Sequence, residues 1–532
     1  MPSCSAAGVD RRTFLRITSA IGVTTAITTG LTACGGPASS GDNGQQSGGS
    51  GSGTLEAGLS YPLSTGFDPM ITSGATPYAA NMHIFEGLVD LDPATLVAAP
   101  ALATAMPKKL NATTYRATLR EGATFHDGSA VTADDVVFSF ERVLDPKNAS
   151  LMAQFVPFID KVSAVDTSTV EFKLKYPFAL FPSRISVVRI VPKKIAGADA
   201  KAFDAKPVGS GPYRFVQAVR EDKIVMAKYG KYNGPHPAKA EKLVWHLISD
   251  PSARVSALQS GRVQAIEDVP YIDLKGFTGK KKVESVQSFG LLFLMFNCAD
   301  KRFADKRVRQ ALHYALDTEK LIKTALLGNA EAASGYVPPN HPDYHKAATV
   351  YGHDVAKAKK LLAEAGAEKL SFTLLLTDTG WVKDIAPLIK ESWAEAGVEV
   401  KLDIAQSPAQ YAKTDKGDFD ALAAPGDPSV FGNDADLLLR WFYYGFWPEK
   451  RYGWSGSAAY KKTKSLLDRA ANTADENKRK ELWGQVTDLV AEEAALYPVL
   501  HRKLPTAWDS GALAGFQPLP TTGLSFVDVG RA

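Results

Sequence analysis

Val131-Thr-Ala-Asp-Asp-Val-Val-Phe-Ser-Phe-Glu-Arg142 has the pattern of a helix start in a mixed α/β chain. Thr132 stands at the N-cap, Asp134 and Asp135 place negative charge in the first turn, and Val136, Val137, Phe138, Phe140 and Val143 supply an apolar face. Immediately upstream, Phe125-His-Asp-Gly128 contains a His/Asp pair, but a glycine just ahead of a capped helix marks a structural turn rather than a catalytic site. Further along, Asp305 caps a helix over Val308, Ala311, Leu312, Ala315 and Leu316, ending near Asp317. Val355 to Ala365 forms another amphipathic helix, closed by Gly366. Strand patterns lie between these helices, at Thr169 to Lys175, Tyr213 to Val216, Lys223 to Ala227, Leu243 to Ile248, Phe289 to Phe296, Phe372 to Leu376 and Glu399 to Ile404. No internal repeat interrupts the alternation, which predicts an α/β fold.

The N-terminal 53 residues read differently. Arg11-Arg12-Thr-Phe-Leu resembles a twin-arginine export signal, and the weakly apolar run that follows ends in Leu31-Thr-Ala-Cys34, which resembles a bacterial lipobox. Residues 1–33 are therefore expected to be a removed signal peptide and Cys34 a lipidation site. An apolar run of about 15 residues is short of the roughly 20 needed to span a bilayer. Gly35 to Gly53 is almost wholly Gly, Ser, Asn, Gln and Asp, a flexible leash with an average reach on the order of 25 Å. An exported protein anchored by lipid to the outer face of the cytoplasmic membrane is the expectation.

The remaining body is long enough for two or three domains, and its 45% hydrophobic and 22% charged residues are those of an ordinary globular protein. A formal charge of +4 without a basic block argues against nucleic-acid binding. Cys298 is the one cysteine beyond Cys34, so no intrachain disulfide can staple the body. No Gly-x-Ser-x-Gly, no His-Glu-x-x-His and no Cys-His pair is present there, which leaves an exported hydrolase as a minor alternative. Gly209-Ser-Gly-Pro-Tyr213 lacks the lysine of a phosphate loop, and the prolines at 338, 339 and 342 keep His341 and His345 off one helix face. Arg307 and Arg309 read as structural or solvated charges.

Several blocks carry a resemblance along the whole body. Asn81-Met-His-Ile-Phe-Glu-Gly-Leu-Val89, Tyr115 to Gly128, Val131 to Arg142, Pro207-Val-Gly-Ser-Gly-Pro-Tyr213, Phe303 to Asp317 and Ala358 to Gly366 occur in the order found in family 5 extracellular solute-binding proteins, the peptide, dipeptide and nickel receptors of ABC importers. The resemblance implies a bilobal, periplasmic-binding-protein-like α/β fold of class II, built in three segments. Lobe I would take 54–82, 205–292 and 496–532, an inserted subdomain 83–204, and lobe II 293–495. Crossovers between lobes are expected near Phe289 to Asn297 and Ala495 to Leu500. The resemblance also implies a monomer without catalytic activity or cofactor that binds a small solute, most simply a peptide, and hands it to membrane permease subunits. A nickel or metal-chelate receptor, or one for another amine-bearing solute, is the alternative within the family.

Peptide-binding relatives hold the ligand ammonium with a lobe II aspartate in a turn after a strand. Phe419-Asp-Ala-Leu-Ala-Ala-Pro-Gly-Asp427-Pro428 matches that place, making Asp427 the first candidate; the alternative is that it only caps the turn before Pro428. The arginine that dipeptide receptors carry in the stretch corresponding to Leu376 to Trp381 is missing. Just after Asp427, the aromatic-rich segment Val430 to Trp447 offers Phe431 and Trp441 as ligand-covering rings and Asp434 and Arg440 as orienting charges, while part of the segment is expected to be core. Phe67, in Ser60 to Asp68, is expected to face the cleft from lobe I.

Overall fold

The computed structural model describes residues 53–532. The export signal with Arg11 and Arg12, and the lipidation site Cys34, lie outside the described residues.

One eleven-stranded sheet organises the body. Its strands in chain order are β1 (Thr54–Leu59), β2 (Tyr213–Val219), β3 (Lys223–Lys228), β4 (Lys242–Leu247), β5 (Ala265–Ile266), β6 (Lys281–Phe296), β7 (Ala330–Ala332), β8 (Ser371–Thr377), β9 (Glu399–Ala405), β10 (Ala421–Gly426) and β11 (Leu496–Asp509). Their spatial order is β9-β8-β10-β6-β11-β5-β1-β4-β3-β2, with β7 added along β11. Strand β1 runs parallel to β4 and β5, and β8 parallel to β9 and β10, so helices must return the chain between them. A separate four-stranded antiparallel sheet comes from Lys108–Asn111, Thr114–Thr118, Thr169–Leu174 and Ile159–Ala164.

The long antiparallel pair β6 and β11 joins the two halves. From Lys281↔Asp509 to Gln287↔Lys503 the pair lies on the β5 side, and from Leu291↔His501 to Met295↔Leu496 it lies beside β10. Between these stretches the register breaks over Ser288, Phe289 and Gly290. There Ser288 Oγ donates to the Arg502 carbonyl at 2.8 Å, and His501 Nδ1 meets the Phe289 carbonyl at 2.8 Å. The joint thus sits at the near edge of the first expected crossover and just beyond the second. Strand β6 begins eight residues before the expected Phe289 because Lys281 to Ser285 alternates half-buried with exposed residues, the signature of a one-faced strand. Leu291 to Phe296 is fully buried, as a strand covered on both faces must be.

Local chemistry sets the helices as their sequences predict. Asp135 Oδ2 accepts from both the backbone N–H and the hydroxyl of Thr132, at 3.0 and 2.7 Å, while Oδ1 accepts from Lys193 N, tying the helix Ala133–Leu144 to the next segment. Asp305 accepts from Arg307 N at 2.9 Å to start Lys306–Tyr314, and Gly366 takes φ +66° after Val355–Glu364. The Phe125 to Gly128 loop is a turn, with Gly128 at φ +88°. It docks on the glycine-rich Gly209 to Gly211 loop: Gly209 N donates to His126 Nδ1 at 3.3 Å, and His126 Nε2 contacts the Gly211 carbonyl at 3.0 Å. Burial pushes the His126 pKa down to about 4, keeping the ring neutral for these two bonds. Asp127 turns instead to Ser129. Asp127→Asn should therefore leave ligand affinity within about twofold of wild type by titration calorimetry, since it touches only a surface turn.

Candidate ligand cleft

A cavity of about 350 Å³ opens where the two halves of the sheet meet. Its floor is the joint itself, with Gly290 and Leu291 from β6 and Arg502 and Leu504 from β11. One wall is Tyr61, Pro62, Ser64 and Thr65 and the start of the helix Ala75–Ile84, including Tyr78. The opposite wall is built after β10 by Asp427, Pro428 and Phe431, then by Trp441, Trp447 and Arg451, and from the start of the helix Gly380–Glu395 by Trp381. A volume of this size, with many rings and few polar groups, has the character of a small-molecule site.

Asp427 emerges at the end of β10, the position where ligands meet open α/β sheets. Ser429 Oγ donates to Oδ1, and Thr522 donates its backbone N–H and hydroxyl to Oδ2 at 2.7 and 2.9 Å. No cation pairs with it among the described residues. Burial raises its pKa above the ordinary carboxylate range, and the Ser429 and Thr522 bonds offset that only in part. Asp427 is both the N-cap residue of the short helix Pro428–Val430 and a cavity-lining carboxylate.

The aromatic wall is a continuous stack. Tyr78 lies edge-on to Phe431 at 4.9 Å, Phe431 meets Trp441 at 5.0 Å, and Trp441 stacks on Phe155 at 5.9 Å. The Tyr78 hydroxyl also donates to the Val430 carbonyl at 2.5 Å, linking the two walls.

Asp427, Phe431 and Trp441 therefore converge on one cavity, and the other three sequence candidates do not. Phe67 is 2% exposed and packs against Phe215 at 5.1 Å in the core around β1 to β4, because its loop turns the ring inward while Tyr61, Pro62, Ser64 and Thr65 face the cavity. Asp434 caps the helix Ala435–Tyr443 and pairs with Arg184. Arg440 is 1% exposed, its Nε on Asp436 at 2.9 Å and its Nη2 on Asp468 at 3.3 Å. Arg184 reaches Asp436 as well, at 3.0 Å, so Asp434 and Arg440 both belong to a buried ionic chain outside the cavity. Two arginines do line the cavity, and sequence reading missed both. The Arg502 guanidinium lies over the Trp381 ring at 4.7 Å and pairs with Asp268. Trp381 occupies the stretch from which an arginine is missing; the charge beside it comes from β11. Arg451 ends the turn Trp447–Arg451. Among the described residues no three His, Cys, Asp or Glu side chains are grouped to hold a metal ion.

A two-part sheet joined by one long strand pair, with a ring-walled cavity at the joint, has the architecture of a ligand-binding receptor. The chain belongs to the bacterial extracellular solute-binding proteins, family 5, whose profile matches residues 98–448. It is a solute receptor of the ABC-importer kind and not an enzyme. The glutathione-binding protein GsiB of Pectobacterium atrosepticum is 29% identical over 503 residues, 90% of this chain and 96% of that protein. Among solved structures, DppA of Helicobacter pylori in complex with the peptide STSA is 25% identical with a TM-score of 0.81, covering 90% of this chain and 98% of the other. AgaA from A. tumefaciens R10 in complex with agropinic acid is 28% identical, also with a TM-score of 0.81, and covers 90% and 99%. These neighbours fit the bilobal α/β class expected from sequence. No described helix is long and apolar enough to cross a membrane.

Proposed function

We propose that this protein is a lipid-tethered receptor that captures a small amine-bearing solute, a short peptide or an amino-acid conjugate, and delivers it to its permease as a monomer. The observation that carries this reading is Asp427, a half-buried carboxylate facing the cavity without a cation beside it. An ammonium group arriving there gains a charge-assisted hydrogen bond, about 1.5 to 3 kcal/mol. Phe431 and Trp441 cover the apolar part of the cargo. The lobes of this reading are 54–82 with 205–292 and 496–532, and 293–495, with 83–204 inserted. In support, strands β1 to β5 gather on one side of the joint, β8 to β10 on the other, and the four-stranded sheet falls inside 83–204. Relatives that bind glutathione, a peptide and agropinic acid support an amino-acid-derived cargo.

Native mass spectrometry of freshly purified protein tests the cargo class: a co-purifying species with a free amine is expected, and a cargo without one overturns the reading. The tether has its own test. Cys34→Ala should move the protein from the membrane to the soluble fraction, and replacing Arg11 and Arg12 by lysine should block twin-arginine export. Unchanged membrane retention, or processing of the Lys-Lys variant at the normal rate, counts against the lipid anchor and the export route respectively.

A further inference from the structure

Arg451 is placed to read the cargo. It lines the cavity with its side chain 18% exposed. Nε donates to Asp415 Oδ1 at 2.8 Å, and the guanidinium carbon lies 4.3, 4.6 and 5.0 Å from the ring centroids of Trp447, Tyr411 and Phe446. One hydrogen bond and three rings fix the plane of the fork. Neither terminal nitrogen has a hydrogen-bond partner among the described residues. A guanidinium held this way presents parallel N–H donors that match a carboxylate. Both cavity arginines are ion-paired, but differently: Arg502 spends terminal Nη2 on Asp268, whereas Arg451 meets Asp415 through Nε alone. The cavity therefore offers one carboxylate without a cation, Asp427, and, in Arg451, a guanidinium with both terminal nitrogens open.

We propose that Arg451 binds an acid group of the cargo, so that the receptor selects solutes carrying both a free amine and a free carboxylate. The proposal rests on the reading of Asp427 as the amine site, and a paired-ligand titration separates the two. The probes are glutathione and a panel of short peptides, each offered as the free acid and as the carboxamide, titrated into wild type, Arg451→Gln and Arg451→Lys. For wild type, amidation should weaken binding about ten- to a hundredfold. Arg451→Gln should lose the same factor on the free acid and nothing further on the amide, because one interaction cannot be removed twice. Arg451→Lys, which keeps the charge but not the fork, should recover part of it. Melting temperatures of the ligand-free variants check that each is folded. Equal binding of acid and amide by wild type overturns the role of Arg451 and leaves the amine site standing. Equal losses on both forms in Arg451→Gln would show that the residue only shapes the wall. If no amine-bearing probe binds wild type, and none is recovered with the purified protein, both proposals fall.

Discussion

Asp427→Asn should abolish most of the thermal protection that an amine-bearing ligand confers. Wild type at a hundredfold excess of ligand over Kd gains about 2.7 kcal/mol of stability. Asparagine keeps the size of the side chain and one acceptor oxygen but removes the charge that an ammonium needs. Its binding should weaken by about ten- to a hundredfold, the scale of one charge-assisted hydrogen bond. The sign of the pH dependence follows from burial. Because the carboxyl pKa is raised in the folded protein, the native state holds this proton more tightly than the unfolded chain does. This residue therefore favours folding more as pH falls through the raised value, while the ammonium requires the ionised form. Ligand affinity should thus decline on acidification at a pH above the ordinary carboxylate range, and the Asp427→Asn variant should lack that step in titration calorimetry. A variant that binds an identified ligand like wild type would reduce Asp427 to a turn residue and leave recognition to the aromatic wall.

Asp436→Ala should be the most damaging substitution for stability. Asp436 is 1% exposed and stands between Arg184 and Arg440, two arginines that are also buried. Deleting it leaves positive charge inside the protein without its central counter-ion, a loss of about 3 to 5 kcal/mol. Urea unfolding should show a lower midpoint with an unchanged slope. Replacing the buried members together, by Arg184→Met, Asp436→Leu and Arg440→Met with Asp434→Asn to keep the helix cap without its charge, should cost far less, since well-packed apolar groups can substitute for a buried ionic chain. A single substitution that costs under about 1 kcal/mol would mean that water reaches the cluster.

What the sequence disclosed was local. Thr132 and Asp305 start helices through groups two or three residues away, and Leu291 to Phe296 is apolar at every position, so neither needs distant information. Asp427, Phe431 and Trp441 lie within fifteen consecutive positions on one side of the sheet, which is why they could be grouped from the sequence. Charge partners were another matter. Arg184 meets Asp434 across 250 residues, and nothing in the aromatic segment distinguishes an aspartate neutralised by that partner from one left open to a ligand. The same non-locality hid Arg502: its strand is readable, but its position over Trp381 depends on how two halves of the sheet are joined. Phe67 failed for a subtler reason. One loop can turn one ring, Tyr61, to the cavity and bury the other, Phe67, and the spacing of the two in the sequence does not say which.

The break in pairing between β6 and β11 places Gly290 and Arg502 at once in the joint and in the floor of the cavity. A Cβ at position 290 would stand 2.8 Å from Ser288 Oγ, so the chain there has no room to spare. Cargo resting on that floor presses on the pivot itself, as a weight does on the fulcrum of a balance. Its bulk would then bias the angle at which the two halves come to rest, and a permease touching both halves would feel cargo size as a change in spacing between its two points of grip.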